Sequence, residues 1–169
     1  MDKKKLGIIF GGKSGEHEVS LMSATSIIQV IDRNIYDLLL IGITKSGKWV
    51  KCNENDISSI IEGKWANNGT DVFLSLNPDC KGFYTVDNNE RNFHHLDIIF
   101  PILHGPNGED GTIQGLFEVL QIPYVSCNVI SSALAMDKAF SKQIFEDVGL
   151  PTLDYRVCNI KQFYDNKIE

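Results

Sequence analysis

Apolar residues fall in short continuous runs, and the runs alternate with segments of helical spacing. Lys5-Leu6-Gly7-Ile8-Ile9-Phe10, residues 36 to 43 and Asp97-Ile98-Ile99-Phe100-Pro101-Ile102-Leu103 read as buried strands. Unbroken apolar runs of this kind suit a parallel sheet covered on both faces. Residues 18 to 31 and 112 to 120 carry helical periodicity, and a short strand is expected near Tyr124. The order strand, helix, strand, variable region, strand, helix, strand is that of an α/β fold with a mostly parallel sheet. A first domain boundary is placed near Val125, giving domains 1–124 and 125–169.

Beyond that boundary, 128 to 134 and 137 to 148 have helical spacing, and Gly149-Leu150-Pro151 is a stop signal. Leu153-Asp154-Tyr155-Arg156-Val157 reads as a strand, and Asn159 as a cap for a helix carrying Ile160, Phe163, Tyr164 and Ile168 on one face. Between Cys52 and Phe93 the pattern weakens. A short helix is expected over Asp56 to Ile61, and a hairpin pairs Gly82 to Val86 with Arg91 to Phe93 across Asp87-Asn88-Asn89-Glu90. Partial order and mobility are expected there, with Trp49 and Trp65 as packing residues.

Composition narrows the function class. With 169 residues, 43% hydrophobic and 22% charged, the chain supports one ordinary domain or slightly more, with a real core. The net charge of −6 argues against a nonspecific nucleic-acid surface. No apolar run approaches the roughly 20 residues that span a bilayer, and the lysine-rich start leads into a strand, so cytoplasmic residence is the expectation. Cys52, Cys80, Cys127 and Cys158 are scattered without a Cys-x-x-Cys pair, which favours free thiols over zinc. His94 and His95 are neighbours on a strand, facing opposite ways, and receive no role.

Two glycine loops carry the candidate chemistry. The stretch His104-Gly105-Pro106-Asn107-Gly108-Glu109-Asp110-Gly111-Thr112-Ile113-Gln114-Gly115 follows a strand and opens a helix, where ligands bind in open α/β sheets. Gly105, Gly108 and Gly111 allow positive φ and close approach of the main chain. Glu109 and Asp110 stand where carboxylates cap free N–H groups. The second loop, Gly11-Gly12-Lys13-Ser14-Gly15, also joins a strand to a helix, but its spacing is neither that of a dinucleotide fingerprint nor that of a phosphate loop. Glu16, directly after it, points to an amine ligand, the alternative being a solvated acid at the helix start.

The chain resembles the amino-terminal part of the D-alanine:D-alanine ligase family, which are ATP-grasp enzymes of peptidoglycan precursor synthesis. Phe10 to Leu21 resembles the family's opening G-G-x-S-x-E-x-E-V-S. His104 to Gly115 fits the signature H-G-x-x-G-E-D-G-x-[apolar]-Q-G, and Ser131 to Lys138 is similar to S-A-x-x-M-D-K at the start of the central domain. Ile41 to Trp49 and the segment from Cys52 to Phe93 look most like the larger ligases, a group that includes the vancomycin-resistance types joining D-alanine to D-serine.

The resemblance implies a Rossmann-like pre-ATP-grasp domain followed by the start of the central ATP-grasp domain. It implies an enzyme that uses ATP and Mg²⁺ to form an acyl phosphate on a first D-alanine, which the amine of a second D-amino acid attacks. Glu16 would bind the ammonium of the first D-alanine, Val19 would pack near its methyl group, and His104 would lie beside the reacting carboxyl. Lys138 would contact ATP, and metal ligands are expected from none of these residues. A homodimer through the amino-terminal domain is also implied. The family's later ATP-grasp motifs have no counterpart in this sequence, so an amino-terminal fragment inactive alone is expected. The alternatives are a stand-alone D-amino-acid binding or dimerisation module, and another ATP-grasp ligase or carboxylase.

Overall fold

The apolar runs are strands because both faces of the sheet they form are covered. A computed structural model describes residues 2–87 and 90–165. Its elements are β1 (Lys4–Gly11), α1 (His17–Val30), β2 (Tyr36–Ile43), β3 (Trp49–Lys51), α2 (Ser58–Ile61), β4 (Thr70–Leu74), β5 (Gly82–Asp87), β6 (Glu90–His95), β7 (Ile98–Leu103), α3 (Thr112–Leu120), α4 (Val129–Met136), α5 (Lys138–Asp147) and α6 (Ile160–Tyr164). The strands form one sheet in the order β6-β5-β4-β3-β2-β1-β7. Alternation along β1 sends Leu6, Ile8 and Phe10 to one face, where Leu21, Ala24 and Ile28 of α1 cover them. Ile9 faces the other side with Leu39, Ile41 and Ile99, beneath Ile113, Phe117 and Leu120 of α3.

Among the described strands, parallel pairing is confined to β2, β1 and β7, the last two of which carry the glycine loops. β1 lies between β2 and β7, with Ile8 level with Leu40 on one side and Phe100 on the other. Pro101 fits within β7 because Ile99, two residues earlier, directs its N–H outward to the Pro123 carbonyl at 2.8 Å. Position 101 faces the same outer edge, where a missing N–H breaks no ladder bond. From β2 outward every pairing is antiparallel. The α/β class is therefore as expected, and the variable segment extends the parallel part as a meander.

That segment is more ordered than its sequence pattern suggests. The β5–β6 hairpin forms with Val86 level with Arg91, and its turn residues Asn88 and Asn89 lie outside the described residues. The short strands β3 and β4 were not expected. Trp65 packs from this segment against Gly42, whose missing side chain admits the indole ring, and meets Phe10 edge-on at 5.3 Å.

The chain divides into two compact units, Met1–Ala133 and Leu134–Glu169. Residues just past the expected boundary stay with the first unit, because Val125 donates to the Ile99 carbonyl at 2.8 Å and Tyr124 bridges Ile99. In the second unit, Asp137 caps α5 by accepting from the N–H groups of Ala139 and Phe140. Asn159 and Gln162 form a capping box on α6, while Ile168 lies outside the described residues. The strand expected over 153 to 157 is not formed. Leu153 and Val157 are 83% and 66% exposed, and no described strand pairs with them, which a strand requires to satisfy its backbone.

One side chain ties the first unit together at the loop end of the sheet. Ser20, fully buried in α1, accepts from the Gly11 N–H at 2.7 Å and donates to the Ile102 carbonyl. It thus joins α1 to the ends of both β1 and β7. Ser20→Ala leaves two buried backbone groups without this partner and is expected to cost about 1–3 kcal/mol. Urea unfolding checks this: the midpoint should fall with an unchanged slope.

Cys52 sits in the same core, 3% exposed, and burial pushes its thiol up to about 12. Cys127 and Cys158 are exposed. A disulfide reagent added to the folded protein should modify Cys127 and Cys158 and reach Cys52 only on unfolding, because the thiolate is the attacking form. Prompt modification of Cys52 in the folded state would contradict this packing.

Candidate functional site

Both glycine loops leave the carboxyl ends of adjacent parallel strands, β1 and β7, and so open at one edge of the sheet. The first loop turns at Gly11, whose φ of +89° and contact with the Ile43 carbonyl leave no room for a side chain. Gly12 donates to that same carbonyl at 2.8 Å. His17 is buried, and its Nδ1 meets the Gly12 carbonyl at 2.8 Å while its ring stacks on Trp65. A carbonyl only accepts, so this nitrogen carries the hydrogen and His17 is a brace for the loop.

Glu16 occupies the N-cap position of α1 but makes no side-chain capping bond. Its carboxylate lies instead over Gly105, where any side chain at 105 would strike Oε2. The two loops therefore meet at Glu16 and Gly105, next to His104. Helical spacing places Val19 and Ser23 on the same stripe of α1 as Glu16, and Val19 is 48% exposed. Ser23 Oγ lies 3.2 Å from His104 Nε2. An acid, a small apolar group, a hydroxyl and an imidazole thus line one strip, exposed at Glu16 and Val19 and half-buried at Ser23 and His104. Glu18, from the same motif, points elsewhere and forms a surface ion pair with Lys45, which holds its carboxyl below the usual range.

The two acids of the second loop have different tasks. Asp110 caps, accepting from the N–H groups of Asn107 at 2.8 Å and Thr112 at 3.0 Å. Its partial burial pushes its pKa up, but these bonds more than offset that and leave it below the usual carboxylate range. Glu109 does not cap α3. Its Oε2 accepts from the Gly105 N–H at 2.8 Å, and its Oε1 stands 3.6 Å from His104 Nδ1. Positive φ occurs at Gly105 and Gly111, whereas Gly108 is required by its contact with Leu103 and the positive φ nearby belongs to Asn107. Gln114, buried in α3, donates to the Gly108 carbonyl at 2.9 Å and to Ser126 Oγ at 3.2 Å, holding the loop on the helix.

A cavity of about 270 Å³ opens between the loops, walled by Lys13, Trp49, His104, Asn107 and Ile113 among others. Glu16 and Val19 are not among its lining residues, whereas His104 lines it and also meets Ser23 of the α1 strip. Lys138 belongs to the second unit, where it is exposed and opens α5 directly after the Asp137 cap. Among the described residues no group of three or more His, Cys, Asp or Glu is placed to hold a metal ion. His94 stacks on Phe83 and meets Thr85 Oγ1 at 2.9 Å, while His95 faces Asp97.

Of the residues expected from sequence, Glu16 lies over Gly105 beside His104, and helical spacing sets Val19 on the stripe of Glu16. Sequence reasoning passes over Ser23, which carries no local signature, and gives Glu109 only a capping role. Helical spacing from Glu16 through Val19 is the one signal in the sequence that points to Ser23.

Comparison with known proteins follows the same residues. The family model described as D-ala D-ala ligase N-terminus matches residues 5–127. A D-alanine–D-alanine ligase of Thermoanaerobacter sp. (strain X514) is 49% identical over 165 residues, covering 98% of this chain and 46% of that protein. The D-alanine–D-alanine ligase of Ruminiclostridium cellulolyticum is 48% identical, covering 100% of this chain and 47% of its own length. Among solved structures, the VanG D-Ala:D-Ser ligase from Enterococcus faecalis superposes with a TM-score of 0.86 at 36% identity, over 98% of this chain and 48% of that one. The D-alanine-D-alanine ligase from Coxiella burnetii gives 0.79 at 27% identity, over 99% of this chain and 50% of its own. The chain spans about half the length of the relatives it matches. The loops that bring Glu16 to His104 lie wholly within the matched residues, and the chain belongs to the D-alanine–D-alanine ligase family through the amino-terminal domain of those enzymes.

Proposed function

We propose that this chain supplies the part of an ATP-dependent D-alanine:D-alanine ligase that holds the first D-alanine. The observation that supports this most strongly is the strip formed by Glu16, Val19 and Ser23 beside His104. A zwitterionic amino acid needs an acid for its ammonium, a donor for its carboxylate and a small apolar contact for its methyl group. Glu16, His104 and Val19 are of those three kinds. An imidazole donor beside a carboxyl that becomes an acyl phosphate stabilises the charge that develops there.

D-Alanine is proposed as the second substrate, from curated relatives at 48–49% identity that bear that name. D-Serine is the alternative supported by the likeness to the VanG ligase. Within this chain Lys138 is the residue proposed to contact ATP. Mg²⁺ is proposed to accompany ATP in the sequence extended to the length of its relatives. No described helix is long and apolar enough to cross a membrane. Residence in the cytoplasm and dimerisation through this domain complete the proposal.

The test is D-alanine-dependent phosphate release from Mg·ATP, by this chain and by the sequence extended to the length of its relatives. Phosphoryl transfer depends on positioned cations around the phosphates, so activity is expected only in the extended protein. In that protein Glu16→Gln should raise the KM for the first D-alanine about ten- to hundredfold, the worth of a hydrogen bond to a charged group. His104→Ala should lower kcat roughly 10²–10³-fold, as removal of one oxyanion donor does. Near-wild-type kinetics for both variants would overturn the assignments, and activity in neither length would favour a binding module.

A further inference from the structure

We infer that Ser23 and Glu109 are positioning residues that hold the neutral ring of His104 as the Nδ1–H tautomer, leaving its lone pair at Nε2. The inference deepens the reading of His104 as the group beside the substrate carboxyl and rests on it for its purpose. The tautomer itself belongs to the ligand-free protein.

Each nitrogen of the ring faces one partner. Nδ1 lies 3.6 Å from Glu109 Oε1, and Nε2 lies 3.2 Å from Ser23 Oγ. At 3.6 Å the carboxylate is in ion-pair range and beyond a direct hydrogen bond, so the preference it imposes is electrostatic. An ionised carboxylate offers lone pairs only. A hydrogen on the nitrogen beside it is favoured in both the neutral and the charged ring, and a second lone pair there is disfavoured. The Ser23 hydroxyl reinforces that choice in the neutral ring by offering its hydrogen to the Nε2 lone pair. It accepts from Nε2–H when the ring is charged. The two partners together leave the lone pair of the neutral ring at Nε2.

Neither partner is free to drift. Glu109 is held by its other oxygen, which takes the Gly105 N–H at 2.8 Å, so the carboxylate spans two consecutive residues of the loop. Ser23 follows Ser20 by one helical turn, and Ser20 pins α1 to the ends of β1 and β7. Nε2 is directed to the stripe of α1 that carries Val19 and Glu16. A carboxylate arriving on that stripe would receive a hydrogen bond from the charged ring at Nε2, while Nδ1–H faces Glu109. A free imidazole prefers the Nε2–H tautomer, so this geometry predicts the reverse of the default.

The experiment is a long-range ¹H–¹⁵N spectrum of the 169-residue chain with ¹⁵N-labelled histidine, recorded above the histidine titration range. His104 is assigned by the signal lost in His104→Asn. The expected pattern is a pyrrole-type shift at Nδ1 and a pyridine-type shift at Nε2. Ser23→Ala should draw both shifts toward the opposite tautomer, and Ser23→Thr, which keeps the hydroxyl, should restore them. Glu109→Ala gives the same readout if Ser23→Ala fails to fold. A wild-type His104 with its hydrogen on Nε2, or shifts unmoved by the Ser23 and Glu109 exchanges in folded protein, would overturn the inference. D-Alanine added afterwards to the same samples tests the ligand reading separately, because its failure to bind leaves the tautomer result standing.

Discussion

The Ser20 hydroxyl is the contact on which the site's geometry depends. A strand end, a second strand end and a helix have to be brought within a few ångströms of one another, and each arrives with backbone groups that need partners. One serine serves the Gly11 N–H and the Ile102 carbonyl at once. With α1 fixed in this way, its first two turns present Glu16, Val19 and Ser23 to the loop after β7. Gly105 then admits the Glu16 carboxylate because it has no side chain. The apolar packing of α1 and α3 on opposite faces stabilises the sheet, and this polar clip sets where its loops end.

What the residue pattern revealed follows from how completely each element is buried. β1, β2 and β7 are covered on both faces, so their runs are continuous and unmistakable, and α1 and α3 show the stripes that cover them. β3 and β4 are three and five residues long and lie in a meander with partial exposure, so no period stands out. The run 153 to 157 has the composition of a strand, but composition supplies no pairing partner, and Leu153 and Val157 stay exposed. Burial of a neighbouring segment is a tertiary fact that local pattern does not carry.

The site was legible in its residue types and less so in its connections. Glu16, Val19 and His104 follow from their motifs, but the approach of Glu16 to Gly105, next to His104, depends on two loops distant in sequence. Glu109 and Asp110 look alike as acids before a helix, yet Asp110 is short enough to cap Thr112 while the longer Glu109 folds back to Gly105 and His104. Ser23 is an ordinary helix serine until the fold sets it beside the imidazole. His17 and Glu18, which share the motif with Glu16, serve the loop and the surface.

The central claim is that the strip along Glu16, Val19, Ser23 and His104 receives a D-amino acid. Amide shift changes in the ¹⁵N-labelled chain during titration with D-alanine, compared with L-alanine, test it most directly. The account predicts saturable changes confined to residues 14 to 23 and 104 to 109, stronger for D-alanine. Changes centred elsewhere, or none, would contradict it.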